Sequence, residues 1–141
     1  MVNFFFVIVS LATCILCEVA AKPTILIGIV THVRDGDTIE VGKIPIRLNG
    51  VSAPELHEYL GDKSKKFMTN MIIGRHLKCE LSGAKTYDRY VGTCYMEEQD
   101  IGKILIDHGL ALDCPRYSNG RYNQFEKKEA KKNIKLPTYC K

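Results

Sequence analysis

The sequence predicts a small α+β domain, a β-barrel with helices. Five strands would close as an OB-fold barrel in the order β-β-β-α-β-β-α-α. Three observations carry that expectation. A β-rich run and two short runs of alternating apolar residues, separated by glycine-containing turns, supply three strands before residue 50. A helical apolar stripe then interrupts them. Two more strand-like runs follow before the chain turns helical, and five strands broken by a helix after the third fit the OB-fold arrangement.

The first strand is the β-rich run TILIGIVTHV, residues 24–33. Asp35-Gly36 and Gly42-Lys43 mark the next two turns. Between and beyond them run Thr38-Ile39-Glu40-Val41 and Ile44-Pro45-Ile46-Arg47-Leu48, each apolar at every second position. Pro45 suits an edge or the start of a strand. Arg47, between Ile46 and Leu48, falls on the opposite face from them. In residues 60–73 the apolar positions 60, 67, 68, 71 and 72 form a helical stripe, with Asp62 as the expected start cap and Gly74 as the stop. Residues 76–82 and 91–97 read as the fourth and fifth strands. Asp100 opens a second helix with Ile101, Ile104, Leu105 and His108 on one face, ended by Gly109. Residues 122–132 read as a third helix, with Lys127, Lys128, Lys131, Lys132 and Lys135 as a solvated face and tail.

At 141 residues the chain has room for one domain with a real core and not for two. Residues 3–17, NFFFVIVSLATCILC, are apolar almost throughout, and Val19-Ala20-Ala21 follows with small residues where a signal peptidase reads. The expectation is a cleavable secretory signal over 1–21, a folded domain over 22–141, and an exported protein, periplasmic or extracellular. A retained membrane anchor is the rival, although the run is short for spanning a bilayer. The segment holds Glu18 and no basic residue, so its removal leaves a charge one unit above the +4 of the whole chain. That modest excess suits a polyanionic partner without demanding one.

Four cysteines remain beyond the signal: Cys79, Cys94, Cys114 and Cys140. In an exported domain an even number reads as two disulfides, and three pairings exist. Cys79 and Cys94 sit in neighbouring strand-like runs joined by a short connection. Cys114 follows the second helix and Cys140 nearly ends the chain. The favoured pairing is Cys79–Cys94 with Cys114–Cys140. A four-cysteine zinc site is disfavoured, because none of the four forms a C-x-x-C pair. Histidines 32, 57, 76 and 108 show no metal-binding spacing.

The most informative stretch is DGDTIEVGKIPIRLNGVSAPE, residues 35–55. It brings acid, arginine and acid to the ends of consecutive strands, which is equipment for holding a divalent cation beside a phosphate. The pattern resembles the staphylococcal nuclease-like (thermonuclease) family, whose usual form is DGDT followed by RLxGxDAPE. The likeness continues through the residue 60–73 helix, Thr86-Tyr87-Asp88-Arg89-Tyr90, Asp100-Ile101-Gly102 to Gly109-Leu110-Ala111, and Tyr122 to Ala130. It covers roughly residues 24–133.

The resemblance implies a calcium-dependent nuclease acting on DNA or RNA, probed by three needs of phosphodiester hydrolysis: a cation, a base for water, and donors for phosphoryl oxygens. Carried over by position, Asp37 is a metal ligand, Ala53 supplies a backbone carbonyl, and Asp35 supports the ion from behind. Arg47 grips the phosphate with a planar fork that lysine lacks, and Glu55 is the general base. Arg89, Tyr90, Tyr117 and Tyr122 are the candidate nucleic-acid contacts. Two departures stand out. Ser52 occupies the place of the family aspartate before Ala-Pro-Glu, a neutral and weaker ligand. The family's Tyr-Gly-Arg after the Asp-Arg-Tyr element reads as having lost its Gly-Arg, since Tyr90 runs straight into Val91-Gly92; Arg89, Arg116 or Arg121 could be redeployed, but none is a residue-for-residue match and none is carried over as catalytic. The expected molecule is a monomer with calcium as its cofactor and no lasting membrane association. The alternative is a non-catalytic OB-fold module that binds nucleic acid or a protein.

Overall fold

The computed structural model describes residues 22–141, so the expected signal segment, its cleavage point, Cys14 and Cys17 lie outside the described residues. The elements are β1 (Thr24–Val33), β2 (Thr38–Val41), β3 (Ile44–Leu48), β4 (Val51–Ser52), α1 (Gly61–Ile72), β5 (His76–Thr86), β6 (Arg89–Met96), β7 (Gln99–Asp100), α2 (Ile101–Asp107), β8 (Leu112–Asp113), α3 (Pro115–Ser118) and α4 (Lys128–Asn133). Single 3-10 turns occupy Asn123–Phe125 and Thr138–Cys140.

Five long strands close a ring. β1 pairs antiparallel with β2 and with β5, β2 with β3, and β5 with β6. The ring shuts through a parallel pairing of β3 with β6, Ile46 opposite Tyr90 and Leu48 opposite Gly92. This is the OB-fold barrel that the strand order predicts. β1 serves two neighbours: its first half pairs with β5, and the register shifts between Val30 and His32 before the rest joins β2. A bulge at that point bends the strand, which is how a sheet curls into a barrel. Pro45 lies one residue outside the β3–β6 register, where its missing N–H removes no closing bond.

Val30, Ile39, Ile46 and Leu77 fill the barrel from its strands, all at most 1 % exposed. Met68 and Ile72 of α1 and Ile101, Leu105 and Ile106 of α2 complete the same core without measurable exposure. Burial of each such side chain contributes roughly 1.5–3 kcal/mol. Cys79 is bonded to Cys94 across the β5–β6 pair, and Cys114 to Cys140, matching the favoured pairing. Among the described residues no helix is long and apolar enough to cross a membrane.

The helices depart from expectation in three places. Asp62 does not cap α1. The cap is Leu60 in a left-handed conformation, because the Glu55–Glu58 turn swings the chain in tightly and Gly61 N–H bonds the Glu58 carbonyl. Asp62 sits in the first turn instead, where it still complements the helix dipole. The expected helix over 122–132 is split: the 3-10 turn ends at Glu126, whose backbone is extended, and α4 starts at Lys128. The break turns the Glu126 carboxylate inward, where it accepts from Asp113 N–H at 2.9 Å and pairs with Lys131 at 2.7 Å. Finally, His108 is exposed, and it lies against Phe67 with ring centroids 4.6 Å apart rather than inside the core.

Candidate active site

The loop between β1 and β2 is folded by its own side chains. Asp35 Oδ1 accepts from Asp37 N–H at 3.0 Å, the local turn that aspartate favours. Gly36 is required by space: a Cβ there would meet Ser64 Oγ at 2.0 Å and Ala53 Cβ at 2.7 Å. The loop therefore lies flat on α1 and on the segment after β4, and Asp37 is driven inward to 7 % exposure. Its Oδ2 accepts from Ala53 N–H at 2.8 Å and faces Arg47 Nη2 at 3.1 Å. Its Oδ1 accepts from the Thr38 hydroxyl at 3.3 Å.

Arg47 is positioned by register. It stands opposite Thr38 on β2 and Val91 on β6, at the seam where the barrel closes. Nη1 donates to the carbonyls of Leu48 at 2.8 Å and Val51 at 2.7 Å. With one Nη2 N–H on Asp37, the Nε–H and the other Nη2–H remain for a ligand. Burial pushes the Asp37 carboxyl up to about 7, against the pull of Arg47 and with a further push from Asp35. Arg47 thus pairs with a carboxylate that burial biases toward its protonated form.

Arg89 enters from the other side. It opens β6 at the tip of the β5–β6 hairpin, opposite Thr86, with Tyr87 in the turn at a positive φ of 55°. Its Nη1 donates to Thr38 Oγ1 at 3.1 Å, so Arg89, Thr38 and Asp37 form one chain of hydrogen bonds. Arg34 at the end of β1 steadies the tip through Glu40 and Asp88, each at 2.8 Å. Its hydrogen bond holds the Asp88 carboxyl below the ordinary range.

These groups surround one open cavity of about 670 Å³. Of the residues expected from sequence, Asp35, Asp37, Arg47, Glu55, Arg89 and Tyr117 line it. Glu55 is exposed on the rim. Ser52 is 2 % exposed and paired with Leu112 between β4 and β8, behind the lining. Ala53 lies beneath Asp37, touching it through its N–H. Tyr90 packs against the core under Lys85 Nζ, 4.2 Å from the ring. Tyr122 is 3 % exposed, donating to Asp100 Oδ2 at 2.6 Å and accepting from Arg121 at 2.8 Å, away from the cavity. Arg121 is occupied there and with Asn49 and Thr93, and neither it nor Arg116 lines the cavity. Lys85, Tyr87 and Tyr139 line it without having been expected. For Tyr139 a signal existed: a Cys114–Cys140 bond necessarily brings residue 139 beside the segment that carries Tyr117.

A hard cation such as calcium takes about 6–8 oxygen ligands. Among the described residues no three Asp, Glu, His or Cys side chains are grouped to hold a metal. Of the expected ligands, Asp37 lines the cavity with Asp35 beside it, and a cation there would have to take most of its oxygens from water and substrate.

Residues 45–135 match the sequence model of the staphylococcal nuclease homologue family. Arg47, Glu55 and Arg89 fall inside that range; the Asp35–Asp37 loop and Tyr139 fall outside it. Similar proteins include the succinoglycan biosynthesis protein ExoI of Rhizobium meliloti, 33 % identical over 115 residues, covering 73 % of this chain and 59 % of that one. An uncharacterized endonuclease of Haemophilus influenzae is 27 % identical over 95 residues, covering 64 % and 53 %. The probable endonuclease LCL3 of Coccidioides posadasii is 30 % identical over 123 residues, covering 61 % and 40 %. The chain thus spans about two-fifths to three-fifths of the length of these relatives.

Proposed function

Since the chain belongs to the staphylococcal nuclease homologue family, we propose that it is an exported nuclease that hydrolyses phosphodiester bonds of DNA or RNA with calcium as its cation. One observation carries the reading: two arginines from different strands, Arg47 and Arg89, line the same cavity as Asp37 and Glu55. Arg89 therefore takes the part of the second phosphate-gripping arginine that the sequence alone leaves vacant.

In this reading Arg47 offers its Nε–H and remaining Nη2–H to two oxygens of the scissile phosphate. Arg89 meets the same group from the hairpin, and charge that builds on the phosphoryl oxygens is stabilised by fixed donors. Glu55 on the solvent side takes a proton as the water oxygen bonds to phosphorus, while the bond to the leaving oxygen breaks and that oxygen is protonated from solvent. Asp37, supported from behind by Asp35, would hold calcium, which would neutralise phosphate charge and make bound water a better nucleophile.

The second reading, a non-catalytic binding module, is favoured by the ion pair that already neutralises Asp37 and by the absence of a third acid beside it among the described residues. Cleavage of single-stranded DNA and RNA by the oxidised protein, with calcium or with chelator, separates the two. The nuclease reading expects calcium-dependent cutting that Glu55→Gln slows at least ~100-fold with binding retained. Binding without cutting at any calcium concentration would establish the module instead.

A further inference from the structure

Behind the two arginines of the cavity stands a hydroxyl that does not itself line it. Thr38 opens β2 and is 1 % exposed. It faces Arg47 across the β2–β3 ladder, so both side chains stand on one face of the sheet. A hydroxyl has one proton to give and lone pairs to receive. Arg89 Nη1 donates to Thr38 Oγ1 at 3.1 Å, which leaves the proton for Asp37 Oδ1 at 3.3 Å. The other oxygen of Asp37 meets Arg47 Nη2 at 3.1 Å. The two guanidiniums are thus joined through one carboxylate and one hydroxyl. Arg47 has anchors of its own in the carbonyls of Leu48 and Val51. Arg89 is held less firmly: its Nε donates to the Thr86 carbonyl at 3.3 Å, within its own hairpin. Among the described residues Thr38 is the one hydrogen-bond partner that ties Arg89 to the rest of the barrel.

We propose that Thr38 is a positioning residue: its hydroxyl sets Arg89 in register with Arg47, so that two arginines from different strands meet one phosphate. The inference rests on the nuclease reading above and adds to it a side chain that acts only through its neighbours. Donors stabilise developing charge when they already stand where that charge appears, and a misplacement of about 1 Å can cost ~100-fold in rate. Arg89 sits at a hairpin tip, and only the bond to Thr38 fixes its guanidinium against the strands that carry Arg47 and Asp37. That bond uses a single Nη1–H, so the second Nη1–H and both Nη2–H remain for phosphate oxygens. A hydroxyl buried this deeply is costly unless bonded, and both of its bonds go to residues that line the cavity.

The test joins cleavage of DNA and RNA by the oxidised protein with calcium to the NMR signals of the Arg89 guanidinium. Thr38→Val keeps the shape of the side chain and removes the hydroxyl. It should lower kcat/KM about tenfold or more, and Thr38→Ser, which keeps the hydroxyl, should stay near the parent. In an Arg89→Ala background Thr38→Val should cost no more than about twofold, because the arginine it serves is already gone. The parent and Thr38→Ser should show separate Arg89 Nη signals, as for a guanidinium that does not rotate, and Thr38→Val averaged ones. Unchanged Arg89 signals in Thr38→Val would overturn the inference whatever the activity. So would an equal loss of cleavage with and without Arg89, since that reports a role in folding or through Asp37 alone. If the parent cuts neither nucleic acid, the nuclease reading falls by itself, and the Nη signals still decide whether Thr38 holds Arg89.

Discussion

Asp37 and Tyr122 are both polar, both buried, and used in opposite ways. Asp37 has an aspartate at its back, an arginine at its side and a cavity in front, and burial raises its carboxyl from an ordinary 3.8 to about 7. Between those values the folded protein keeps a proton that the unfolded chain has released, so stability falls as pH rises through the window and is recovered on acidification. The metal-free protein should gain on the order of 1–3 kcal/mol between about pH 7 and pH 5. Denaturant melts across that range check it. A wild-type slope no different from that of Asp37→Asn would refute the raised value. Tyr122 faces no cavity. Burial first, and the Asp100 bond second, push its phenol above the ordinary range. Tyr122→Phe should cost about 1–3 kcal/mol by leaving buried partners unpaired, and nuclease turnover at saturating substrate should stay unchanged. A selective loss of turnover in a fully stable variant would return Tyr122 to the site.

At the scale of elements, the β5–β6 hairpin places Arg89 at the cavity. Read along the chain, Tyr90 running into Val91-Gly92 looks like a lost catalytic segment. In the barrel, Thr86 pairs with Arg89 and the hairpin tip folds over the closing seam, so Arg89 reaches Thr38 and the cavity. Which side of a seam a hairpin tip covers depends on the β3–β6 pairing, and that is a contact between residues more than forty positions apart. Arg34 holds the tip through an exposed pair with Asp88. Such pairs contribute less than ~1 kcal/mol. Arg34→Ala should therefore leave stability within about 1 kcal/mol of the parent yet raise the KM for single strands several-fold, as Arg89 loses its support. Unchanged kinetics would show that the hairpin holds Arg89 without Arg34.

For the whole molecule, the two disulfides do different work. Cys79–Cys94 ties strands already paired, 15 positions apart, whereas Cys114–Cys140 closes 26 and carries the tail to the cavity. The Cys114→Ser, Cys140→Ser double variant should lose about 2–4 kcal/mol, measured by denaturant unfolding, and a peptide map of the parent should link 79 to 94 and 114 to 140. Two reactive thiols among these four in folded protein would contradict the oxidised structure. The barrel was legible in the sequence because β-rich runs, period-two burial and turn glycines act over a few residues: β1 falls on its β-rich run, β2 and β3 where the alternation puts them, and α1 where its stripe does. The family motif was legible too, because loop, arginine and Pro54-Glu55 sit at close spacing. The broken helix at Glu126 was not, because its cause is a carboxylate satisfied by Asp113, thirteen residues away. Nor was the division among the tyrosines legible. The family resemblance made 90, 117 and 122 candidates alike, but burial is a property of the closed barrel. Tertiary structure turned Tyr122 into the core and packed Tyr90 under Lys85. It left Tyr117 at the cavity and brought Tyr139 to it through a bond between residues far apart in the chain. Sequence by itself determined which chemistry this protein has available; the closing of the ring decided which of those groups share one space.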